Sequence, residues 1–130
     1  LAPLRNLPVI RDLVTDMREF FDKWARARGQ FSGTQTKNDE FERVPPQSEP
    51  RKLADAGIEC IGCGVCYAAC DVVSWNAQYL GPAALNRAWT LVSDARDTAN
   101  AARLRAVAAP LAAAGPRIPR CRRSSTNSAI

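Results

Sequence analysis

Histidine is missing from all 130 residues. No Ser–His–Asp arrangement can therefore be drawn, and no mixed Cys/His zinc site can be completed. Long apolar runs are also missing, since nothing approaches the ~20 residues of a membrane span. The first residues do not follow the charged, apolar, small-residue order of an export signal. Cysteine is sparse and odd in number, five in all, which speaks against a secreted disulfide framework. No segment shows strand-like alternation, so the expected class is all-α. A basic face is lacking as well. Residues 1–110 hold 14 Lys+Arg against 13 Asp+Glu, and the surplus comes from Arg117, Arg120, Arg122 and Arg123. Basicity belongs to the tail, so no nucleic-acid partner is expected.

What is there is a run of four cysteines: Cys60-Ile-Gly-Cys63-Gly-Val-Cys66-Tyr-Ala-Ala-Cys70. Two, two and three residues separate them, the bacterial ferredoxin spacing. A small inorganic cluster needs thiolates aimed at one point by a tight loop. Gly62 and Gly64 suit that loop, because glycine accepts positive φ and lets amides approach sulfur. The first three cysteines would serve one cluster and the fourth another. Zinc is the competing reading, but structural zinc sites pair one C-x2-C with a second pair, and only Cys121 lies outside the run. Thiolates kept for a cluster imply a reducing compartment.

Around the run, four stretches are expected. Residues 1–29 read as an inter-domain amphipathic helix. It starts near Pro8, carries Ile10, Leu13, Val14, Met17, Phe20, Phe21 and Trp24 on one face, and stops at Gly29. Residues 30–50 form a polar linker. Residues 51–109 form a helical, ferredoxin-type iron–sulfur domain. A short helix over Glu49–Ala56, capped by Ser48 and ended by Gly57, leads into the cysteine loop. Further helices start at Pro82 and cover Ala101–Ala109. Residues 110–130 lose periodicity and read as a disordered or non-native tail.

Several segments together resemble one family, the iron–sulfur subunit of succinate dehydrogenase and fumarate reductase. They are Leu7-Pro-Val-Ile-Arg-Asp-Leu-Val-Thr-Asp-Met17 with Phe20-Phe21, the cysteine run, Trp75-Asn76, Tyr79-Leu-Gly-Pro-Ala-Ala-Leu85 and Asp94-Ala-Arg-Asp97. The likeness covers about residues 3–108 and the C-terminal half of that subunit. It implies an electron relay in a respiratory enzyme of the tricarboxylic acid cycle, between a flavoprotein subunit and a membrane anchor that holds quinone. The protein would sit peripherally on the cytoplasmic face of the cell membrane, and this chain alone would not be catalytic. By position, Cys60, Cys63 and Cys66 would ligate a 4Fe–4S cluster and Cys70 a 3Fe–4S cluster. The family's 2Fe–2S cluster belongs to an N-terminal domain that precedes the matched part. Trp75 matches a tryptophan at the quinone site, where its indole N–H can donate to a quinone oxygen; the other reading is a packed core tryptophan. Glu59 and Asp71, near the cysteines, read as solvated or potential-tuning groups.

Two departures stand out. Asp71 stands where the family usually has Pro. Only Cys121, followed by Arg122, remains of a second cysteine group that ends in Cys-Pro and completes both clusters. Three other readings stay open: another respiratory iron–sulfur subunit of the heterodisulfide-reductase type, a zinc-binding interaction module, and a non-functional fragment. The Ala-, Arg-, Pro- and Ser-rich tail is what an out-of-frame reading of a GC-rich gene yields. That idea predicts a Cys-rich, Cys-Pro-containing segment in another frame past codon 110, and inspection of all frames without finding one removes it.

Overall fold

A computed structural model describes residues 1–113 of the chain, and side chains as far as residue 110. Cys121 and the tail beyond residue 113 lie outside the described residues. The elements run β1 (Val9–Arg11), β2 (Val14–Thr15), α1 (Arg18–Arg26), α2 (Glu49–Ile58), α3 (Val65–Ala68), α4 (Asp71–Trp75), α5 (Pro82–Ser93) and α6 (Asn100–Ala113). The fold is helix-rich, in keeping with the expected class at the coarse level, with one short β1–β2 hairpin beside the helices.

The expected helix from Pro8 is the main correction. Residues 9–15 form a small antiparallel hairpin instead, pairing Val9 with Thr15 and Arg11 with Val14. Four β-branched residues (Val9, Ile10, Val14, Thr15) favour extended backbone. Asp12 takes positive φ of 52° at the turn, a conformation Asp tolerates better than most residues. The helix begins only after Asp16, whose carboxylate accepts the Arg18 amide at 2.9 Å. Nine residues remain helical, and the apolar residues before them are exposed at Val9, Ile10, Leu13 and Val14.

Two further boundaries differ from expectation. Gly57 does not stop α2. It lies buried within the helix, where an added Cβ would meet the Thr90 hydroxyl of α5 at 2.2 Å, and its carbonyl accepts Asn86 Nδ2 at 2.9 Å. The glycine thus serves close helix packing. α6 continues through Pro110 to Ala113, past the point where the tail was expected to begin.

The core is small and rich in alanine. One cluster joins Leu7, Phe20, Tyr67, Val73 and Ala83; a second joins Ala27, Leu80 and Ala84 with Val107 against them. Tyr67 is only 1% exposed. Its ring meets Phe20 edge-on at 5.5 Å. Its hydroxyl accepts Lys23 Nζ at 2.8 Å and faces Glu19 Oε1 at 3.3 Å. Lys23 and Glu19 close the set with a 2.9 Å ion pair. Burial works to lower the Lys23 pKa, but the bonds from Tyr67 and Glu19 outweigh it and hold the ammonium above the usual lysine range. Gly81, at φ 92°, leaves room for the Tyr67 ring; a Cβ there would stand 2.7 Å from it.

A second polar cluster fastens the start of the 30–50 segment. Arg103 and Asp97 form a fully buried two-pronged pair at 2.7 and 2.9 Å. Arg103 also donates to the carbonyls of Arg28 and Gln30, while Asp97 accepts the amides of Ser32 and Ala99. Burial presses the Asp97 carboxyl upward, yet the Arg103 guanidinium and the two amides outweigh it and hold it below its ordinary pKa.

Removing either anchor has a defined outcome. Arg103→Met leaves Asp97 buried without its cation, so denaturant titration at pH 7 should show a loss of about 3–5 kcal/mol. Because the folded Asp97 pKa is lowered, its contribution is fully present above the unfolded carboxylate value of about 3.9 and is lost as pH falls from there through the lower folded pKa. The variant should therefore show a flatter acid limb of stability. Tyr67→Phe keeps the ring but leaves Lys23 and Glu19 without the hydroxyl, and should cost about 1–3 kcal/mol in the same titration. An unchanged midpoint in either variant would contradict the corresponding anchor.

Candidate metal centre

The cysteine run occupies the connection from α2 to α4. Cys60 follows the end of α2, and its amide reaches back to the Gly57 carbonyl at 3.4 Å. Cys63 stands between Gly62 at φ 67° and Gly64 at φ 75°. The two left-handed glycines turn the backbone so that α3 can start immediately, with Gly64 as its first cap. Gly64 also sits beneath Met17, whose methyl would lie 3.0 Å from an added Cβ. Cys66 lies in α3, and Cys70 caps α4.

The thiols of Cys60, Cys63 and Cys66 are exposed, and Cys70 is half-buried. Burial pushes the Cys66 thiol pKa up, and the neighbouring Cys60 and Cys63 push it further against weaker help from the Tyr67 and Cys66 amides. Those three sulfurs are therefore electrostatic neighbours on one loop. Burial likewise raises the Tyr79 phenol, with Cys70 and then Cys66 adding to it; Tyr79 and Cys70 pack against the same core cluster. Even so, among the described residues no three Cys, Asp or Glu side chains converge closely enough to hold one metal ion. The donor chemistry fits an iron–sulfur group: three thiols on a glycine loop, each without a disulfide partner. The ligand cage itself is not closed by residues 1–113.

Trp75 ends α4 and is 59% exposed, so it is not a packed core tryptophan. Asp71, in the first turn of the same helix, and Glu59, at the end of α2, are both exposed. Exposed Ile61, Val65 and Val72 accompany Trp75 along the run.

Reading the sequence alone missed the groups behind the loop. Lys23, in the last turn of α1, is buried and bonded to Tyr67. Asn6 is not among the residues the sequence reading singles out. Its side-chain amide donates to the carbonyls of Tyr67, Ala68 and Cys70 at 3.0, 3.3 and 3.0 Å. The only hint was Asn before Leu7-Pro8, since Asn tolerates the positive φ, here 63°, that such a turn requires.

No family model matches the chain. Individual proteins do. Over 110 residues the chain is 40% identical to the mitochondrial succinate dehydrogenase [ubiquinone] iron–sulfur subunit 2 of Oryza sativa subsp. japonica, covering 83% of this chain and 35% of that protein. The succinate dehydrogenase iron–sulfur subunit of Paracoccus denitrificans is 37% identical over 106 residues, 80% of this chain and 40% of the relative. That of Coxiella burnetii is 32% identical over 111 residues, 85% of this chain and 46% of the relative. The matched part is thus less than half the length of each relative, while it takes in most of this chain. Over about four fifths of its length the chain is a homologue of succinate dehydrogenase iron–sulfur subunits.

Proposed function

We propose that the chain forms the electron-relay part of a succinate dehydrogenase or fumarate reductase iron–sulfur subunit, passing electrons between a flavoprotein subunit and quinone at a membrane anchor. The observation that carries this reading is the Cys60–Cys70 run, with its two left-handed glycines, in a homologue of those subunits. Cys60, Cys63 and Cys66 would be three ligands of a 4Fe–4S cluster, and Cys70 one ligand of a 3Fe–4S cluster. When bound, such clusters supply one-electron acceptance and release. The 4Fe–4S set would still need one ligand and the 3Fe–4S set two, and Cys121, the one further thiol in the sequence, could supply a single one of them.

The remaining residues orient and shield. The Tyr67 anchor holds α3 against the core, so that Cys66 projects from a fixed turn. Trp75 is free to donate its indole N–H to a quinone oxygen, which suits its exposure. Exposed Ile61, Val65 and Val72 fit a loop that docks on partner subunits rather than facing water. Among the described residues no helix is long and apolar enough to cross a membrane, which suits peripheral attachment. Oxidation of succinate would belong to the flavin-bearing partner, whose cofactor carries that chemistry.

Anaerobic reconstitution with iron and sulfide, followed by iron and sulfide counting and EPR, tests the reading. A chain that closes its first site should retain about four irons, with visible thiolate-to-iron absorbance, and Cys66→Ser should lose most of both. Zinc at one per chain without a visible band would sink the redox function. Iron no higher in the chain than in its Cys66→Ser variant would sink the ligand assignment.

A further inference from the structure

Asn6 meets the cysteine run from 61 to 64 residues away in sequence. α3 is a four-residue helix, and its last carbonyls have few partners of their own. The Tyr67 carbonyl receives a long 3.3 Å bond from the Cys70 amide. The Asn6 Nδ2 group supplies what is lacking, to Tyr67 and Ala68 at the end of α3 and to Cys70 at the cap of α4. Only the nitrogen end can face three carbonyl oxygens, so chemistry fixes the orientation of the amide. The three accepting groups span the turn that separates the Cys66 and Cys70 sulfurs.

We propose that Asn6 is a positioning residue that fixes the turn between Cys66 and Cys70 and so sets the relative placement of their two thiols. This rests on the reading of both cysteines as metal ligands. In that reading they serve different clusters, and the turn between them is the covalent bridge along which the two sites are held. A free four-residue helix next to a five-residue one has no stiffness of its own. Two anchors provide it: Tyr67, through its side chain from one side, and Asn6, through the main chain from the other. Leu7, the next residue, is buried in the same core cluster as Tyr67, which keeps the Asn6 amide in reach.

The backbone of Asn6 allows the clamp to be separated from the strain. At φ 63° alanine would add a conformational cost, whereas Asn6→Gly removes only the amide. Asn6→Asp keeps the shape and the left-handed tolerance, but turns carboxylate oxygens toward three carbonyls. A backbone role alone would rank Gly and Asp both close to wild type. The clamp ranks wild type above Gly and Gly above Asp.

Hydrogen exchange on the metal-free full chain reads the clamp directly. Asn6→Gly should speed exchange of the Ala69 and Cys70 amides about tenfold while α2 and α5 stay unchanged, and Asn6→Asp should speed it more. Cobalt(II) titration, read by its thiolate charge-transfer band, should follow the same order, with about tenfold weaker binding in Asn6→Gly. Unchanged exchange at residues 69–70, or exchange raised equally throughout α2 and α5, overturns the proposal. Local loosening with an unaltered cobalt band and affinity also overturns it, because the clamp would then not serve the thiols. If wild type binds no cobalt, the metal-ligand reading of the cysteines fails, and the exchange order still decides whether Asn6 holds the turn.

Discussion

One side chain, Tyr67, belongs both to the cysteine run and to the core. It lies next to Cys66 in sequence and is almost completely buried. Loops that carry metal ligands usually face outward, and a helix of four residues cannot stabilise itself. Burial of an aromatic ring between Phe20, Val73 and Gly81 supplies the missing tertiary hold. The hydroxyl must then find partners in a dry place. Lys23 and Glu19 provide them, at the cost of burying an ammonium group. Much else follows from that choice. α1 must place Lys23 inward, Gly81 must stay small, and the run must begin its helix at once after Gly64.

The thiols themselves are under the opposite constraint. Their neutral forms need no partner, but as thiolates they repel one another, and Cys60 and Cys63 already weigh on Cys66. A metal site of this kind gains its closure when cations bind, because binding and deprotonation are coupled. A rigid back and an open front are therefore compatible. Asn6 and Tyr67 hold the main chain of the run, while Cys60 and Cys63 stand exposed on the glycine loop.

How much of this was legible in the sequence depended on what each signal measures. Cysteine spacing and the two glycines report on a local loop, and both glycines take positive φ as a tight loop demands. Pro82 and Ser48 mark helix starts by local chemistry, and helices begin there. The residues before Met17 were misread because spacings of three and four are also met by chance in an irregular hairpin. The β-branched residues and Asp12 carried the better signal. Gly57 was misread as a stop because its cause is Thr90, more than thirty residues on. Asn6, Lys23 and Arg103 were invisible for that reason too, the last because the Arg28 and Gln30 carbonyls it holds lie 75 and 73 residues back. Each is defined by a distant partner, and a single sequence does not state which distant groups meet.

The polar clusters also answer a problem of size. Among the described residues, six of the twelve buried apolar residues are alanines, and alanine contributes little apolar area. Interdigitated large side chains therefore cannot do all the work of specifying one packing. Directional bonds do part of it: Asn6 on three carbonyls, Lys23 with Glu19 on Tyr67, Arg103 on Asp97 and two carbonyls. Such groups add little net stability compared with apolar replacements, but they penalise misplacement heavily, because any shift leaves a buried donor or charge unmatched. Each ties a long-range partner to a point near the cysteine run or to the segment that follows α1. The large apolar groups that would otherwise fill a core, Ile61, Val65, Val72 and Trp75 among them, stand outside along the run. Apolar surface on the outside and polar clamps on the inside is the arrangement expected when shape must be kept while the outer face is completed by partners.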